Sequence, residues 1–576
     1  MNQKLENILN VSLDATEDEL RKADSLSTGY NWRDNTWEII VKYSGSLESI
    51  RNRYNVYIKE LLNYYAIIVA DKATIELISQ EDVIDYVEKP KSLYYQIERT
   101  KTAACVGSVR ADGNILSGKG VIVGVIDTGI DIFDNAFRNS DGTTRILNIY
   151  DQTTGEKYDK QSIDEYIRLN EDLSGGTFSY DNAPGVDNIM HGTDVSYIAA
   201  GSLGVAYEAD IIAVKMGYSI NNQFPRTTSL MDAIDYIIRK AIEYRKPVAV
   251  NISYGCNYGA HNGNTLLESF IDDISKSYRC VICVGSGNEA DKAIHFGGII
   301  NTGQVQTAYL SVGEYQSAID IQIWKNYWDT IDVMLINPRG EQIGIITEGR
   351  INRYETYNTE IITLLGEPSP YNIYQEIYIN LIPKTDYILS GIWQIVLMAG
   401  SIRAGEYNIW LPSSQALGYA TAFNNPTADG TITIPATARN CIAVGAYNAY
   451  TNSYAAFSGR GFDNSIRNAN AGVKPDITAP GVDISIARQR GNDITYRNVT
   501  GTSYAVPVVT GAAALLMQWG IVMGNDRFMY GEKLKAALID GSKPVGLVGI
   551  TRNDNQPDPR TGWGAVCLKN TLNKIL

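Results

Sequence analysis

The sequence predicts an α/β chain built on a parallel sheet, preceded by a small α+β unit and interrupted by an all-β segment. Three observations lead there. Short apolar runs end in Asp, Gly, Ser or Asn: VIVGVIDTGID (Val121–Asp131), PVAVNISYG (Pro247–Gly255) and CVICVGSGN (Cys280–Asn288). Continuous apolar runs of this length read as strands buried on both faces, and open α/β sheets carry their ligands at the C-terminal ends of such strands. Upstream of Glu88 the pattern runs strand, helix, strand, strand, helix, strand, a ferredoxin-like order. From Thr307 to Pro412, AIDIQIW, TIDVMLINPRGEQIGIIT and EIYINLI alternate with period two around turn residues, which predicts a β-sandwich or jelly roll.

Composition narrows the function. A chain of 576 residues exceeds one ordinary core, so two to four domains are expected. The formal net charge of -14, with no basic stripe, excludes nucleic acid as the main partner. No run approaches a membrane span. MNQKLENILNVSLDATEDEL has no apolar stretch of signal-peptide length, so cytoplasmic synthesis is expected. Among six irregularly spaced cysteines, Cys280 and Cys283 form a C-x-x-C pair inside a strand-like run. Buried free thiols fit that setting better than a metal or redox pair. No metal site and no cofactor are expected; no EF-hand loop is visible, and a structural calcium cannot be read from the sequence.

In chain order, residues 1 to about 35 are polar and lack a strong pattern. WEIIVKY is a strand, SLESIRNRY a short helix, VYIKELL and YYAIIVA two strands, ATIELISQ a helix and VIDYVE a strand. Lys89 to Ser108 reads as an exposed connector. Asp127 then closes the first long apolar run. It admits three readings. A dinucleotide site lacks its G-x-G-x-x-G. An aspartic protease lacks a second Asp-Thr-Gly or Asp-Ser-Gly to share a proton. The third is a carboxylate that orients a histidine.

With three histidines in the chain, the search for a base is short. His191 stands before a helical stretch, HGTDVSYIAAG. His261 and His295 lie in GAHNGN and DKAIHFGG and read as surface or structural residues. Asn288 closes a buried strand, where it is either a turn residue or an amide donor for an oxyanion. Ser503 opens the small-residue helix of GTSYAVPVVTGAAALLMQWG. Free N–H groups and the helix dipole favour developing negative charge there, although a serine-capped core helix would look the same. Pro507 falls near the first turn, where a missing N–H matters least.

These strings together, VIDTGID, HGT, GSGN and GTSYAVP, with KPDITAPG and GWGAV near the end, resemble those of the subtilisin-like serine proteases (subtilases, the S8 family). The resemblance implies a triad of Asp127, His191 and Ser503, in the order that marks this family, with Asn288 in the oxyanion hole. It also implies that Ser253, Tyr254 and Gly255 pair with an extended substrate, and that Gly285, Ser286 and Gly287 wall a side-chain pocket. Asp194 departs from the family, which often has His there.

The layout resembles the clostridial Csp germination proteases. This implies a prodomain over 1–96, a catalytic domain over 97–306 and 413–576, and an inserted jelly roll over 307–412. It implies cleavage in cis between Gln96 and Ile97, with SLYYQ laid along Ser253 to Gly255 and the prodomain kept bound. The implied partner is a protein substrate, the precursor of a spore-cortex hydrolase, with the enzyme deposited in the spore. A general bacterial subtilase with another substrate, or a catalytically silent signalling subtilase, are the alternatives; the complete residue set argues against the silent form.

Overall fold

A nine-stranded sheet forms the centre of the molecule. Its parallel part runs Ile146–Asp151, Asp210–Lys215, Ile122–Asp127, Val248–Ile252, Cys280–Gly285, Ile442–Asn448, Ile477–Val482. The structure is a computed structural model, and it describes residues 2–575 except 93, 96–109, 112–113, 172–181, 218–223, 347–348, 463–472, 491–492 and 547–556. The apolar runs are continuous because both faces are covered. Val121, Val123 and Val125 pack with the helices His191–Ala200 and Thr502–Met517. Ile122 and Ile126 pack on the other side with the helices Thr227–Tyr244 and Leu266–Ser277. From Ile122–Asp127 the chain goes out to Ile146–Asp151, returns to Asp210–Lys215 in the gap between them, then crosses to Val248–Ile252 on the other side and winds outward there. The reversal leaves a crevice between neighbouring strand ends, the usual place for a site in such sheets.

The helix Thr502–Met517 and the turn that continues it to Val522 are long and apolar enough to cross a membrane by length and composition. Its most apolar window is nevertheless 83% buried inside the protein, as a helix hydrophobic on every side must be when it lies in a core. Gly511 permits the close packing: a Cβ there would stand 2.5 Å from Val205 Cβ.

The N-terminal unit follows the predicted order: Thr36–Tyr43, Glu48–Tyr54, Tyr57–Leu61, Tyr65–Ala70, Lys72–Ile78, Ile84–Glu88. Its antiparallel sheet turns Ile40, Leu61, Tyr65 and Ile67 toward the two helices of the second core layer. The opposite face, with Ile39, Val41, Ala66 and Ile68, packs with Ile50, Ile75 and Ile78 of the unit's own helices and with a segment that the sequence reading left patternless. Residues before 35 form three short helices, Asn7–Asp14, Glu17–Lys22 and Asp24–Ser27. Their Leu9, Val11, Leu20 and Leu26 pack together with Ile362 and Tyr378 of the insert. One signal was legible: Thr16 and Glu19 form a reciprocal capping box at the second helix.

The inserted segment makes two sheets, of six and five strands, whose inner faces share Ile321, Ile323, Leu335, Trp393, Ile395 and Leu397. It is wider than 307–412. His295–Ile299 pairs with Glu406–Trp410, and Ala422–Phe423 pairs with Val305–Val312. The two glycines in HFGGI hid the first of these strands. His261 and His295, expected at the surface or in a structural role, are buried and structural. Their rings both stack on that of Trp410, at 4.2 and 4.9 Å, and the indole N–H donates to Gly430 O at 2.9 Å. This stack joins insert to core, so Trp410→Ala should cost about 3–5 kcal/mol. The measurement is the rate of thermal inactivation, which should rise; an unchanged rate would show that the stack does not limit unfolding.

Candidate active site

Asp127 is the last residue of its strand and His191 the first of its helix. His191 Nδ1 lies 2.6 Å from Asp127 Oδ1, which also accepts the Thr128 N–H at 2.8 Å. The approach is close enough to require glycine next to the histidine: a Cβ on Gly192 would stand 2.3 Å from Gly129 O and 2.9 Å from Asp127 Cβ. Met190, at the N-cap with φ 66°, offers no side-chain cap. Asp187 supplies it from three residues upstream. Its carboxylate accepts the N–H groups of Met190 (2.7 Å) and Thr193 (2.8 Å) and the hydroxyls of Thr193 and Thr128. The Thr128 hydroxyl in turn accepts the Gly192 N–H at 2.9 Å, which ties strand end to helix start.

Burial disfavours a charged His191, but the Asp127 carboxylate outweighs it, helped by Asp194 and Asp187, and the imidazole is held above its ordinary value. Asp194, the departure from the family pattern, is a buried carboxylate paired with Arg488 and Arg497.

Ser503 is the second residue of the helix Thr502–Met517 and fully buried. The ring of Tyr504 lies 5.2 Å from that of His191, so the helix start faces the Asp127–His191 pair. Pro507 is deeper in the helix than its sequence setting suggested, and its place matters. The N–H it lacks is the one that would bond the Ser503 carbonyl. Ser253 Oγ donates to that carbonyl instead, at 3.4 Å, and Asn251 Nδ2 donates to Ser253 Oγ at 3.0 Å. Asn288 Oδ1 accepts from Thr502 N (3.0 Å) and Thr502 Oγ1 (3.1 Å). Because Thr502 N can only donate, the amide orientation is fixed. Asn288 Nδ2 is left buried with no hydrogen-bond partner among the described residues.

The wall beyond is braced from behind. Ser286 N donates to Val444 O, Thr433 N to Ser286 O, and Gly459 N to Gly287 O, at 2.8–3.0 Å. Tyr254–Gly255 pairs antiparallel with Tyr94–Tyr95, the tail that leaves the N-terminal unit. On its other side the tail bridges Ser92 to Arg226, and Lys91 O accepts the Thr227 N–H at 2.6 Å. The tail thus runs as a middle strand between two core segments. Gln96 and Ile97 lie outside the described residues.

Asp127, His191, Asn288 and the start of the Ser503 helix therefore meet in one crevice, as do the segments 253–255 and 285–287. Sequence reasoning missed Thr502, Asp187 and Asn251, whose hydrogen bonds orient the others. The described cysteines are free, and burial pushes the thiols of Cys256, Cys280, Cys283 and Cys441 up to about 12. Among the described residues no group of three His, Cys, Asp or Glu side chains could hold a metal ion.

Residues 118–368 and 404–564 match the model of the subtilase family, more than half of the chain. The chain belongs to the subtilase family. Residues 3–91 match the Csp protease B prodomain. Among solved structures, the Clostridium perfringens CspB protease is similar, with a TM-score of 0.72 at 34% identity, over 80% of this chain and 94% of that one. Curated relatives match over shorter stretches. The subtilase-type proteinase RRT12 of Saccharomyces cerevisiae is 33% identical over 22% of this chain and 23% of its own length. Subtilisin-like protease 10 of Arthroderma otae is 34% identical over 21% of this chain and 27% of its own. The match therefore spans about a quarter of these curated relatives.

In this subtilase the prodomain meets the core at a buried ion cluster just before the tail. Lys91 Nζ pairs with Glu6 (2.7 Å) and with Glu88, whose other oxygen accepts the Leu266 N–H at 2.8 Å. Burial pushes Glu88 up to about 7 against the pull of Lys91. Burial also opposes the charge on Lys91, but Glu6 and Glu88 hold its amine above the usual lysine range. Lys91→Met leaves both carboxylates without their cation, which should cost about 3–5 kcal/mol. The check is the denaturant midpoint of the prodomain followed by tryptophan fluorescence; a midpoint equal to wild type would mean that the cluster is energetically silent.

Proposed function

We propose that this subtilase is a serine endopeptidase that cuts its own chain between Gln96 and Ile97 and keeps the cleaved prodomain bound. The observation that supports it best is the shared crevice: the Asp127–His191 pair, the Asn288 amide and the Ser503 helix start meet where the chain's own tail lies as a strand. Ser503 Oγ attacks the scissile carbonyl while His191 Nε2 takes its proton. Asp127 holds the proton on His191 Nδ1, so that Nε2 is the nitrogen that accepts a proton, and stabilises the imidazolium that forms. Asn288 Nδ2 and the Ser503 N–H hold the oxyanion, and the helix start adds its positive dipole end. His191 then returns the proton to the leaving amine. Substrate backbone pairs with Ser253, Tyr254 and Gly255, and the side chain before the scissile bond sits against Gly285, Ser286 and Gly287. The likeness to the Clostridium perfringens CspB protease supports a Csp-type role, in which the substrate is the precursor of a spore-cortex hydrolase and the enzyme is carried in the spore. The mechanism uses protein groups alone.

Ser503→Ala should abolish peptidase activity and labelling by a fluorophosphonate, and Asn288→Ala should lower kcat about 10²–10³-fold. Peptidase activity persisting in Ser503→Ala would falsify the assignment. Processing is read by denaturing electrophoresis and N-terminal sequencing. Wild type should give two fragments that co-elute under native conditions, with the second beginning at Ile97. Ser503→Ala should run as one chain, and a cut in that variant would place the processing in another protease. The base must be neutral to work, and His191 is held above its ordinary value. The acid limb of kcat/KM should therefore lie above about pH 6.5.

A further inference from the structure

Asp194 stands three residues after His191 in the same helix, which places the two on one face about a turn apart. It is fully buried. Its Oδ1 accepts from Arg488 Nε at 3.0 Å and from Arg488 Nη2, and Arg497 Nη2 lies 2.9 Å from its Oδ2. Arg488 Nη2 also donates to Met190 O at 2.9 Å, the carbonyl of the left-handed residue just before His191. Both arginines come from a hairpin, Ile484–Arg490 paired with Asp493–Val499. Ile484 and Ile486 point into the core, so the period of the strand turns Arg488 the same way, onto the helix. Arg490 continues the row and reaches Asp131 Oδ2 at 2.5 Å.

A buried carboxylate held by two arginines is weak evidence for stability, because an apolar trio of similar volume often serves as well. Its place beside the histidine suggests another use. We propose that Asp194 is a positioning residue for the Asp127–His191 pair, clamping the hairpin 484–499 onto the catalytic helix through Arg488 and Arg497. The clamp fixes the helix start from which His191 projects. This rests on the triad assigned above. The groups around His191 are the carboxylates of Asp127, Asp187 and Asp194, the guanidiniums of Arg488 and Arg497 beyond Asp194, and the ring of Tyr504. Asp194 and Asp187 help to keep the imidazole above its ordinary value.

Two variants break the same ion pair with opposite electrostatic results. Asp194→Asn removes a negative charge and leaves two guanidiniums uncompensated, so His191 should titrate lower. Arg488→Met removes a positive charge, so His191 should titrate higher. A bridge that only stabilises the fold would give both variants the same defect. The assay is kcat/KM against pH on a fluorogenic peptide carrying the chain's own SLYYQ sequence. The acid limb should move down in Asp194→Asn and up in Arg488→Met. In both, kcat should fall about 10- to 100-fold with KM within about twofold, since the geometry of the base rather than substrate binding is disturbed. Limbs that move together or stay still, or losses that appear only in KM, would overturn the proposal. If Asp194→Asn does not fold, Arg488→Met and Arg497→Met must both move the limb up. The imidazole resonances of His191 in a Ser503→Ala background give the same titration without turnover. If the wild type neither cuts its own chain between Gln96 and Ile97 nor cleaves the peptide nor takes up a fluorophosphonate, the triad assignment fails on its own. The titration then decides the clamp: opposite shifts sustain it, and no shift overturns it.

Discussion

The hydrogen bond between Asp127 and His191 is the constraint around which the crevice is built. Both side chains are almost wholly removed from water. A buried carboxylate is costly unless donors meet it, and here the donors are the Thr128 N–H and the imidazole. Meeting them requires the end of one strand and the start of one helix within a bond's length of each other. Gly192 allows that approach by having no Cβ, and Asp187 locks it by joining Thr128, Met190 and Thr193. The helix has no side-chain cap of its own because the cap is also the bracket that fixes it to the strand. The pair therefore sits on rigid elements with its supports already bonded.

Asn288 comes to the same place from the middle of the chain and Ser503 from its last fifth, and each is held by a substitution in ordinary helix bonding. Thr502 opens the helix, and its free N–H is absorbed by Asn288 Oδ1, which aims the other half of the amide into the crevice. Pro507 frees the Ser503 carbonyl, and Ser253 takes up that bond from the segment along which the tail lies. A single stretch of backbone at the helix start thus links the Ser503 helix, the Asn288 amide and the segment Ser253–Gly255. Moving any one of the three must disturb the other two.

The residues of the crevice were legible because each ends an apolar run or opens a helix, and such positions stand out in one dimension. Asp127, Asn288 and Ser503 are of this kind. Asp187 and Thr502 were not, since nothing local separates them from turn or cap residues, and Asn251 was hidden inside a strand, with bonds that reach Ser253 and Thr510. The ferredoxin-like order was plain from periodicity, whereas the three N-terminal helices were obscured by brevity and by their charged outer faces. Thr16 and Glu19 were the available clue. The insert was legible where strands alternate and illegible at its rims, where two glycines replace the alternating pattern at His295–Ile299. Asp194 could be seen as a departure, but its meaning required Arg488 and Arg497, about 300 residues away along the chain.

The prodomain is held at more places than its tail. Its sheet lies on the helices Thr227–Tyr244 and Leu266–Ser277, and Lys59 reaches Asp232 in the first of them. The N-terminal helices fasten it to the insert as well: Arg353 pairs with Asp14 and Glu19, Asn7 bonds Glu376, and Asn380 bonds Ser25. The insert is in turn fixed to the core by the Trp410 stack. Three bodies therefore close a ring, with the Glu6–Glu88–Lys91 cluster at the point where the tail departs. Breaking one chain bond beyond that cluster removes a tether but none of these contacts. A unit held at several sites at once rebinds each site at high effective concentration, so loss of one contact does not release it. The insert thus holds the N-terminal helices, which hold the prodomain whose tail pairs with Tyr254–Gly255.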